Sequence, residues 1–536
     1  MTDWLNLQPD DVHNLRLRDL VHPANWTNPT PTGRYNLVVV GAGTAGLISA
    51  IGAAGLGAKV ALIERSLMGG DCLNVGCVPS KALLAASRRA ASLRHLSEYG
   101  LSLAGSATAT GQDALSPGAQ SSGAIEIDFP AIMERVRRLR TQIAPNDSTE
   151  RYRGLGVDVF LGQGQFTGPD RLSVAGQELT FSKAIIATGA RAATLDLPGL
   201  KELQPLTNET VFNLTELPRR LTVIGGGPIG CELAQAFARL GSQVTLISRD
   251  PFLLPKEDRD AARLVQQQME ADGVTFFLGA ETGWAERGGA TVPVPESDRG
   301  LKTVWIRPIF QTTPVPISGD EILVAVGRRP NVDGLGLEAA GVRYDIRRGV
   351  EVNDQLRTAN PRILAAGDIC SKYQFTHAAE AMAKIALRNA LFLGRARASQ
   401  LVIPRCTYTE PEVAQVGLTR QEADEQRLKT TLLEFHLTEN DRTILEGEGP
   451  GLARVLLESG TDRILGATIV GPQAGELLAP ITLAMTSRLG LSALYNTISP
   501  YPTRGEVWKR LGGAYFRTRL TPFLKSLFTT WLRWTR

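Results

Sequence analysis

Residues 35–64 read YNLVVVGAGTAGLISAIGAAGLGAKVALIE, and this stretch decides the architecture. Tyr35–Val40 is a continuous apolar strand, Gly41–Gly46 a glycine turn, Leu47–Leu56 a small-residue helix and Lys59–Glu64 a second strand. Strand, helix and strand in that order make a βαβ unit, the building block of a parallel sheet. A second unit of the same design runs from Leu221 to Arg249, so two nucleotide-binding domains are expected in one chain.

In the first unit Gly41, Gly43 and Gly46 form a G-x-G-x-x-G motif, and Glu64 follows 23 positions after Gly41. Glycines let the backbone approach a pyrophosphate, the helix N-terminus attracts its charge, and the acid accepts hydrogen bonds from a ribose diol. In the second unit Gly225, Gly227 and Gly230 repeat the pattern, but the position 23 after Gly225 is Ser248, followed by Arg249. No carboxylate occupies the diol-binding place, whereas Ser and Arg suit a 2′-phosphate. NADP is therefore favoured, with NAD as the alternative because Asp250 is adjacent; Arg249 as a merely solvated strand-end charge is the plainer reading.

The chain around these units has 536 residues, 43% hydrophobic and 21% charged, which implies about three domains at roughly 100–200 residues each. No apolar run reaches the roughly 18 residues of a membrane-crossing helix. Five cysteines exclude a disulfide framework of the secreted type, and a net charge of +4 gives no reason to expect a nucleic-acid partner. The polar, acidic first twenty residues contain no apolar run for a signal peptide, so a cytoplasmic protein is expected. Residues 1–33 read as an irregular extension with Trp4 and Trp26 as docking points, and 104–124, in which 14 of 21 residues are Ala, Gly or Ser, as a flexible insertion. Further strands and helices are expected at Arg362–Ala366, about Ala378–Phe392 and Glu476–Arg488.

Beside the first glycine motif lies Gly69-Gly70-Asp71-Cys72-Leu73-Asn74-Val75-Gly76-Cys77-Val78-Pro79-Ser80-Lys81. On a regular helix the two cysteines would be ~7.5 Å apart in rise alone, beyond the usual disulfide range, but Gly76 can relax that turn. A paired disulfide and two separate buried thiols both remain open on spacing. No second Cys or His pair has zinc spacing, so no resident metal is expected.

The segment resembles the redox-active disulfide of class I flavoprotein disulfide reductases, the pyridine nucleotide-disulfide oxidoreductase family. The resemblance extends over about Tyr35–Tyr515 and includes Ala187-Thr188-Gly189-Ala190, Val326-Gly327-Arg328-Arg329-Pro330-Asn331, Ala365-Ala366-Gly367-Asp368 and Tyr408-Thr409-Glu410-Pro411-Glu412. It implies an α/β fold with two Rossmann-like FAD- and NAD(P)-binding domains and a C-terminal α+β dimerisation domain. The implied division is 34–204 and 331–400 for FAD, 205–330 for the nicotinamide nucleotide, and 401–515 for dimerisation, with 516–536 as a tail. FAD belongs in the first glycine site, with Gly70, Thr188, Gly189 and Gly327 in its surroundings and Asp368 on the ribityl chain. Lys81 is implied to lie near the flavin and to pair with Glu232. The resemblance also implies a homodimer whose active site takes residues from both chains. Cys77 would face the flavin as the charge-transfer thiolate, and Cys72 would attack substrate.

One departure bears on the reaction. Disulfide-reducing members carry a His-Pro motif near the C-terminus with Glu five residues after the His, whereas this chain has Tyr501-Pro502 and Glu506. Histidine titrates near pH 6.5 and shuttles protons; tyrosine, near 10, is a poor base at neutral pH. Tyr at this place is similar to mercuric reductases, and a soft metal ion bound by thiolates needs no such base. The vicinal cysteine pair and N-terminal C-x-x-C domain of those enzymes are missing here; the remaining cysteines are Cys231, Cys370 and Cys406. His377 reads as a local structural or flavin-contacting residue rather than a replacement base. The expected activity is NADPH-dependent reduction of a metal ion or small electrophile, catalysed by Cys72 and Cys77 with Tyr501 and Glu506. The alternatives are a dihydrolipoyl-dehydrogenase-like enzyme and a membrane-associated flavin-binding scaffold or sensor.

The tail 516–536 carries five basic and no acidic residues, leaving 53 basic against 54 acidic in the rest of the chain. The tail reads either as a helix docked on its own dimer with a solvated basic face, the plainer reading, or, given its aromatic residues, as a peripheral contact with a membrane at its inner face; Pro522 is expected to interrupt the helix.

Overall fold

The computed structural model describes residues 7–102, 126–290, 292–309 and 311–536. The chain forms two compact units, one of residues up to Pro251 with Gly273–Leu401, the other of Phe252–Asp272 with Val402–Arg536.

In the first unit, strand Tyr35–Val40 pairs in parallel with Val60–Glu64 on one side and Gln177–Ile186 on the other. Val157–Leu161 and Ile363–Ala365 extend this parallel sheet. The uninterrupted run of apolar residues in Tyr35–Val40 follows from burial on both faces. Leu37, Val39 and Leu62 join one core cluster with Ala50, Ala53 and Ala386, while Val38, Val40 and Ile63 join another with Phe160 and Phe181. The intervening helix is Thr44–Gly55, three residues earlier than expected, because Gly43 already serves as its N-cap. It packs on helix Thr376–Leu391 so closely that a Cβ on Gly52 would fall 2.6 Å from Leu387 Cδ2. A second parallel sheet, in the order Thr275–Leu278, Gln243–Ser248, Arg220–Ile224 and Glu321–Val324, carries the other glycine turn.

The second unit is built on a five-stranded antiparallel sheet, Arg405–Thr407, Glu412–Gly417, Ile464–Gly471, Leu452–Glu458 and Thr430–His436. Helix Arg259–Ala271 packs on it, and Arg454 donates to Asp258 at 2.7 Å and to Asp260 at 2.6 Å. The expected helix Glu476–Arg488 is two pieces, Ala474–Leu477 and Ala479–Thr486, with Pro480 opening the second.

Two expectations are corrected. Residues 1–33 are not irregular throughout: Val12–Val21 is a helix, capped by the Asp11 side chain, which accepts from the amides of His13 at 3.1 Å and Asn14 at 2.8 Å. Asn14, Leu17 and Val21 make its buried stripe, a pattern hidden by the polar Asn, and Trp26 anchors the following chain by donating to the Val159 carbonyl at 3.2 Å. Trp4 and the insertion 104–124 lie outside the described residues. In the tail, Pro522 does not interrupt a helix but begins one, Pro522–Trp534, after helix Glu506–Arg519 has ended. Proline is well suited to the first turn, where its missing N–H has no intrahelical partner to lose.

Asp11→Ala removes both capping bonds and the ion pair with Arg137. The expected cost is about 1–2 kcal/mol of stability, read as a lowered urea midpoint; an unchanged midpoint would mean that the helix docks without its cap.

Candidate active site

The two glycine turns have the same division of labour. At the first, Gly41 has φ +102° and a Cβ there would lie 2.5 Å from the Ala187 carbonyl oxygen, while a Cβ on Gly46 would lie 1.7 Å from the Gly41 oxygen. These two glycines permit the tight turn and the helix–strand contact. A Cβ on Gly43 would instead meet only Gly70 Cα, at 3.8 Å, and Gly43 caps helix Thr44–Gly55 without any side-chain hydrogen bond. The turn therefore leaves an open cradle at uncapped helix amides, the geometry that receives a pyrophosphate. At the second, Gly225 (φ +123°) and Gly230 are closed in by Ala325 and Gly225 oxygens at 2.3 and 2.0 Å, and Gly227 faces open space at the start of helix Pro228–Arg239. Ser248 ends the neighbouring strand and is buried, and Arg249 beyond it is exposed.

Glu64 is buried, and its two oxygens accept from the Ala42 and Ser66 amides, each at 2.7 Å. Burial pushes its carboxyl above the usual range against the pull of those amides. It thus braces the glycine turn from the end of its strand. The Thr188 hydroxyl donates to the Asn331 carbonyl at 2.9 Å and Asn331 Nδ2 returns a bond to the Thr188 carbonyl at 2.8 Å, with Gly189 accepting from the Asn331 amide at 3.0 Å. Gly327 accepts from the Ala193 amide at 2.9 Å. Gly70 (φ +59°) faces Gly43, where a Cβ would come within 2.7 Å of its Cα.

The cysteine segment is not one helix. Cys72 sits in Gly70–Asn74, Val75 and Gly76 break the turn, and Cys77 is the first residue of Cys77–Ser92. A Cβ on Gly76 would stand 2.9 Å from the Asp71 carbonyl oxygen, so the break needs glycine. Both cysteines carry free thiols in this structure. A hydrogen bond from Cys72 is the largest influence on Cys77 and lowers its pKa, with help from the Thr376 hydroxyl at 3.2 Å and the Lys81 charge, while burial opposes. The same bond to Cys77, with burial, pushes Cys72 up. A helix start also favours a thiolate. Lys81, one turn on, donates to Glu232 Oε2 at 2.8 Å.

Several residues here were not singled out from sequence. Arg328 donates to Asp71 at 2.7 Å and to the Ala190 carbonyl at 2.9 Å and lies 3.5 Å from Asp368, whose carboxyl burial pushes up. Arg140, 1% exposed, donates to the carbonyl of Asn74, between the two cysteines, at 2.7 Å, and to Asn14 of the N-terminal helix. An arginine inside the Gly327–Asn331 motif was a visible signal for the first; nothing in the sequence announced the second. His377 stacks on Phe375 with ring centroids 5.5 Å apart.

Tyr501 and Glu506 belong to the second unit. Tyr501 donates its hydroxyl to Asp441 Oδ2 at 2.9 Å, and that bond and the Asp441 charge hold its pKa above the ordinary phenol value. Glu506 opens helix Glu506–Arg519. Asn440 Nδ2 donates to the Thr503 carbonyl at 3.2 Å, tying the two loops together.

Two dinucleotide cradles and a dithiol at a helix start define a pyridine-nucleotide-linked dithiol oxidoreductase. The family model described as "Pyridine nucleotide-disulphide oxidoreductase" matches residues 35–383 and that of its dimerisation domain residues 403–511, and the chain belongs to this family of FAD-dependent enzymes. The family binds FAD and NAD(P), which the open cradles at Gly43 and Gly227 fit, and the dimerisation domain supports self-association. A mercuric reductase of Bacillus cereus is 33% identical over 501 residues, covering 93% of this chain and 74% of the relative. A dihydrolipoyl dehydrogenase of Thermus scotoductus is 35% identical over 474 residues, covering 88% and 95%. Among solved structures, LpdA from Mycobacterium tuberculosis is similar with a TM-score of 0.76 at 25% identity, covering 90% of this chain and 99% of that one. The Cu(II) complex of the HOCl-induced flavoprotein disulfide reductase RclA from Escherichia coli shares the fold, with a TM-score of 0.74 at 24% identity, covering 90% and 100%.

A lowered pKa keeps Cys77 ionised at pH values where an ordinary thiol, near 8.5, is protonated. Its alkylation by iodoacetamide should therefore stay fast below that range and fall only at lower pH. Lys81→Met should move the midpoint of that profile upward by about one unit; an unmoved midpoint would remove Lys81 from the thiolate's support.

Proposed function

We propose that electrons from NADPH reach a soft metal ion or a small electrophile through the Cys72–Cys77 pair, a mercuric-reductase-like reaction. The observation that carries this reading is the Tyr501 hydroxyl bonded to Asp441 at 2.9 Å. Reducing a disulfide consumes NADPH and a proton and yields NADP and two thiols, so each leaving thiolate needs a proton donor that recycles near neutral pH. A phenol held by a carboxylate is a worse proton donor than a free phenol, and Tyr501 is so held. Reduction of a divalent soft ion needs no such donor: the two thiolates hold the ion, it takes two electrons, and NADPH leaves as NADP and a proton.

FAD, when bound, supplies the two-electron relay between nicotinamide and dithiol. In the proposed division it is held by 34–204 and 331–400, with Gly41, Gly43, Gly46 and Gly70 at the pyrophosphate, Glu64 at the adenosine ribose, Asp368 at the ribityl chain, and Thr188, Gly189 and Gly327 around them. NADPH is held by 205–330, with Gly225, Gly227 and Gly230 at its pyrophosphate and Ser248 with Arg249 at the 2′-phosphate. Lys81, oriented by Glu232, supplies positive charge beside Cys77. Cys77 is the thiolate nearest the flavin and Cys72 the one that engages the acceptor. Dimerisation through 401–515 brings Tyr501 and Glu506 of one chain to the thiols of the other. The enzyme is placed in the cytoplasm, with a membrane contact through 516–536 at the inner face.

The second reading, a dihydrolipoyl-dehydrogenase-like reaction, draws on the relatives of that name at similar identity. Turnover of Hg(II) and of lipoamide with NADPH separates the two, and brisk lipoamide turnover would sink the argument from Tyr501. Tyr501→His should raise lipoamide turnover by tenfold or more, on the usual order of general-base catalysis. Cys77→Ala should still bind FAD yet lose the long-wavelength charge-transfer absorbance of the two-electron-reduced protein; a retained band would reverse the assignment of the two cysteines.

A further inference from the structure

Helix Pro522–Trp534 has no buried residue, and Phe523, Leu527, Phe528, Trp531, Leu532 and Trp534 are between 52% and 86% exposed. It is attached by helix Glu506–Arg519, which is anchored in the second unit by buried Val507, Trp508 and Leu511. At 3.6 residues per turn the apolar side chains are not scattered around this helix. Phe523, Leu524, Leu527, Phe528, Trp531, Leu532 and Trp534 occupy one arc about 180° wide, and Lys525, Ser526, Thr529, Thr530 and Arg533 fill the other. Residues 507–536 hold seven basic and no acidic side chains.

We infer that Pro522–Trp534 is an interfacial anchor that lies in the plane of an anionic lipid bilayer, with its Trp, Phe and Leu arc in the acyl boundary. This rests on the reading of the tail as a membrane contact and names the lipid it selects. Among the described residues no helix is long and apolar enough to cross a membrane. Thirteen residues make a helix of ~20 Å, shorter than the ~30 Å hydrocarbon core, so it lies flat. An apolar arc with two Trp at one end suits the boundary between headgroup and acyl chain, where an indole buries its ring and keeps its N–H wet. Thr521 caps the helix by accepting from the Leu524 amide at 3.3 Å, and the Thr529 and Thr530 hydroxyls bond to carbonyls one turn back, at 2.7 and 3.0 Å, so the polar arc spends its hydroxyls locally. The charge that remains is positive. Lys525 and Arg533 on the arc, with Arg536, Arg517 and Arg519 flanking it, complement anionic headgroups.

A second copy of the chain is the rival occupant of the apolar arc. The dimerisation model matches 403–511 and stops short of this helix, and a helix whose only charged side chains are positive repels its own copy as it attracts phosphate.

The test is co-sedimentation of the FAD-loaded enzyme with vesicles, either pure phosphatidylcholine or an equimolar mixture with phosphatidylglycerol. The mixed vesicles should bind at least about tenfold more tightly, and high salt should remove the difference. Lys525→Glu with Arg533→Glu should abolish the preference, and Leu527→Ser with Trp531→Ser should abolish binding to both, with the flavin spectrum and the NADPH-dependent reduction of the enzyme unchanged. Equal binding to the two vesicle types would overturn the anionic selection but leave the membrane contact; no binding to either would overturn the contact itself. Loss of dimer mass in the Leu527→Ser, Trp531→Ser variant would hand the arc to a second copy instead.

Discussion

The first unit depends on one close approach of backbone to backbone. Where strand Tyr35–Val40 turns into helix Thr44–Gly55, the Gly41 carbonyl oxygen stands 1.7 Å from where a Gly46 Cβ would be, and Ala187 closes on Gly41 from the next strand. Any side chain at either place would push the helix off the sheet. Because the helix is held that near, its uncapped amides at Gly43 open beside the sheet, and Glu64 can reach across to the Ala42 amide at 2.7 Å. The cysteine segment is hung on the same junction: the Gly69 amide donates to the Ala42 carbonyl at 2.9 Å, and Gly70 has room for no Cβ against Gly43. The anion cradle and the position of the dithiol are therefore consequences of one contact.

Charge then differentiates two chemically identical thiols. Gly76 ends the short helix of Cys72 and lets Cys77 begin another, so Cys77 has a helix start, the hydrogen bond from Cys72 and the Lys81 charge in its favour, while the Thr376 hydroxyl favours both thiolates. Asp71 opposes both thiolates, and Arg328 offsets it from 2.7 Å while also facing Asp368. One buried guanidinium thus joins the redox segment to the segment read as holding the ribityl chain. Arg140 does something similar, linking Asn74 to Asn14 of the N-terminal helix. A helix that precedes the family match thereby becomes part of the support of the cysteine loop.

Much of this was legible in the chain because it depends on neighbours in sequence. The strand Tyr35–Val40 was read with its observed limits, since burial on both faces leaves an unbroken apolar signal. The helix at Val12–Val21 is not legible in the sequence because its buried stripe includes Asn14, whose polarity is satisfied by the Pro9 carbonyl and Arg140, contacts no periodicity can reveal. Whether Pro522 ends or starts a helix depends on whether the preceding chain has already left the helix, as it has at Leu520 and Thr521.

By itself the sequence determined the βαβ units, the two glycine turns, the cysteine segment and the replacement of a histidine by Tyr501, because each is a local pattern of residue type and spacing. Only the tertiary structure decided which contacts favour a Cys77 thiolate, that Arg328 and Arg140 clamp the cysteine segment, that Tyr501 is bonded to Asp441, and that the tail helix keeps a whole apolar face exposed. Those facts are distances between residues tens to hundreds of positions apart, and electrostatic and hydrogen-bond energies depend on such distances rather than on order along the chain.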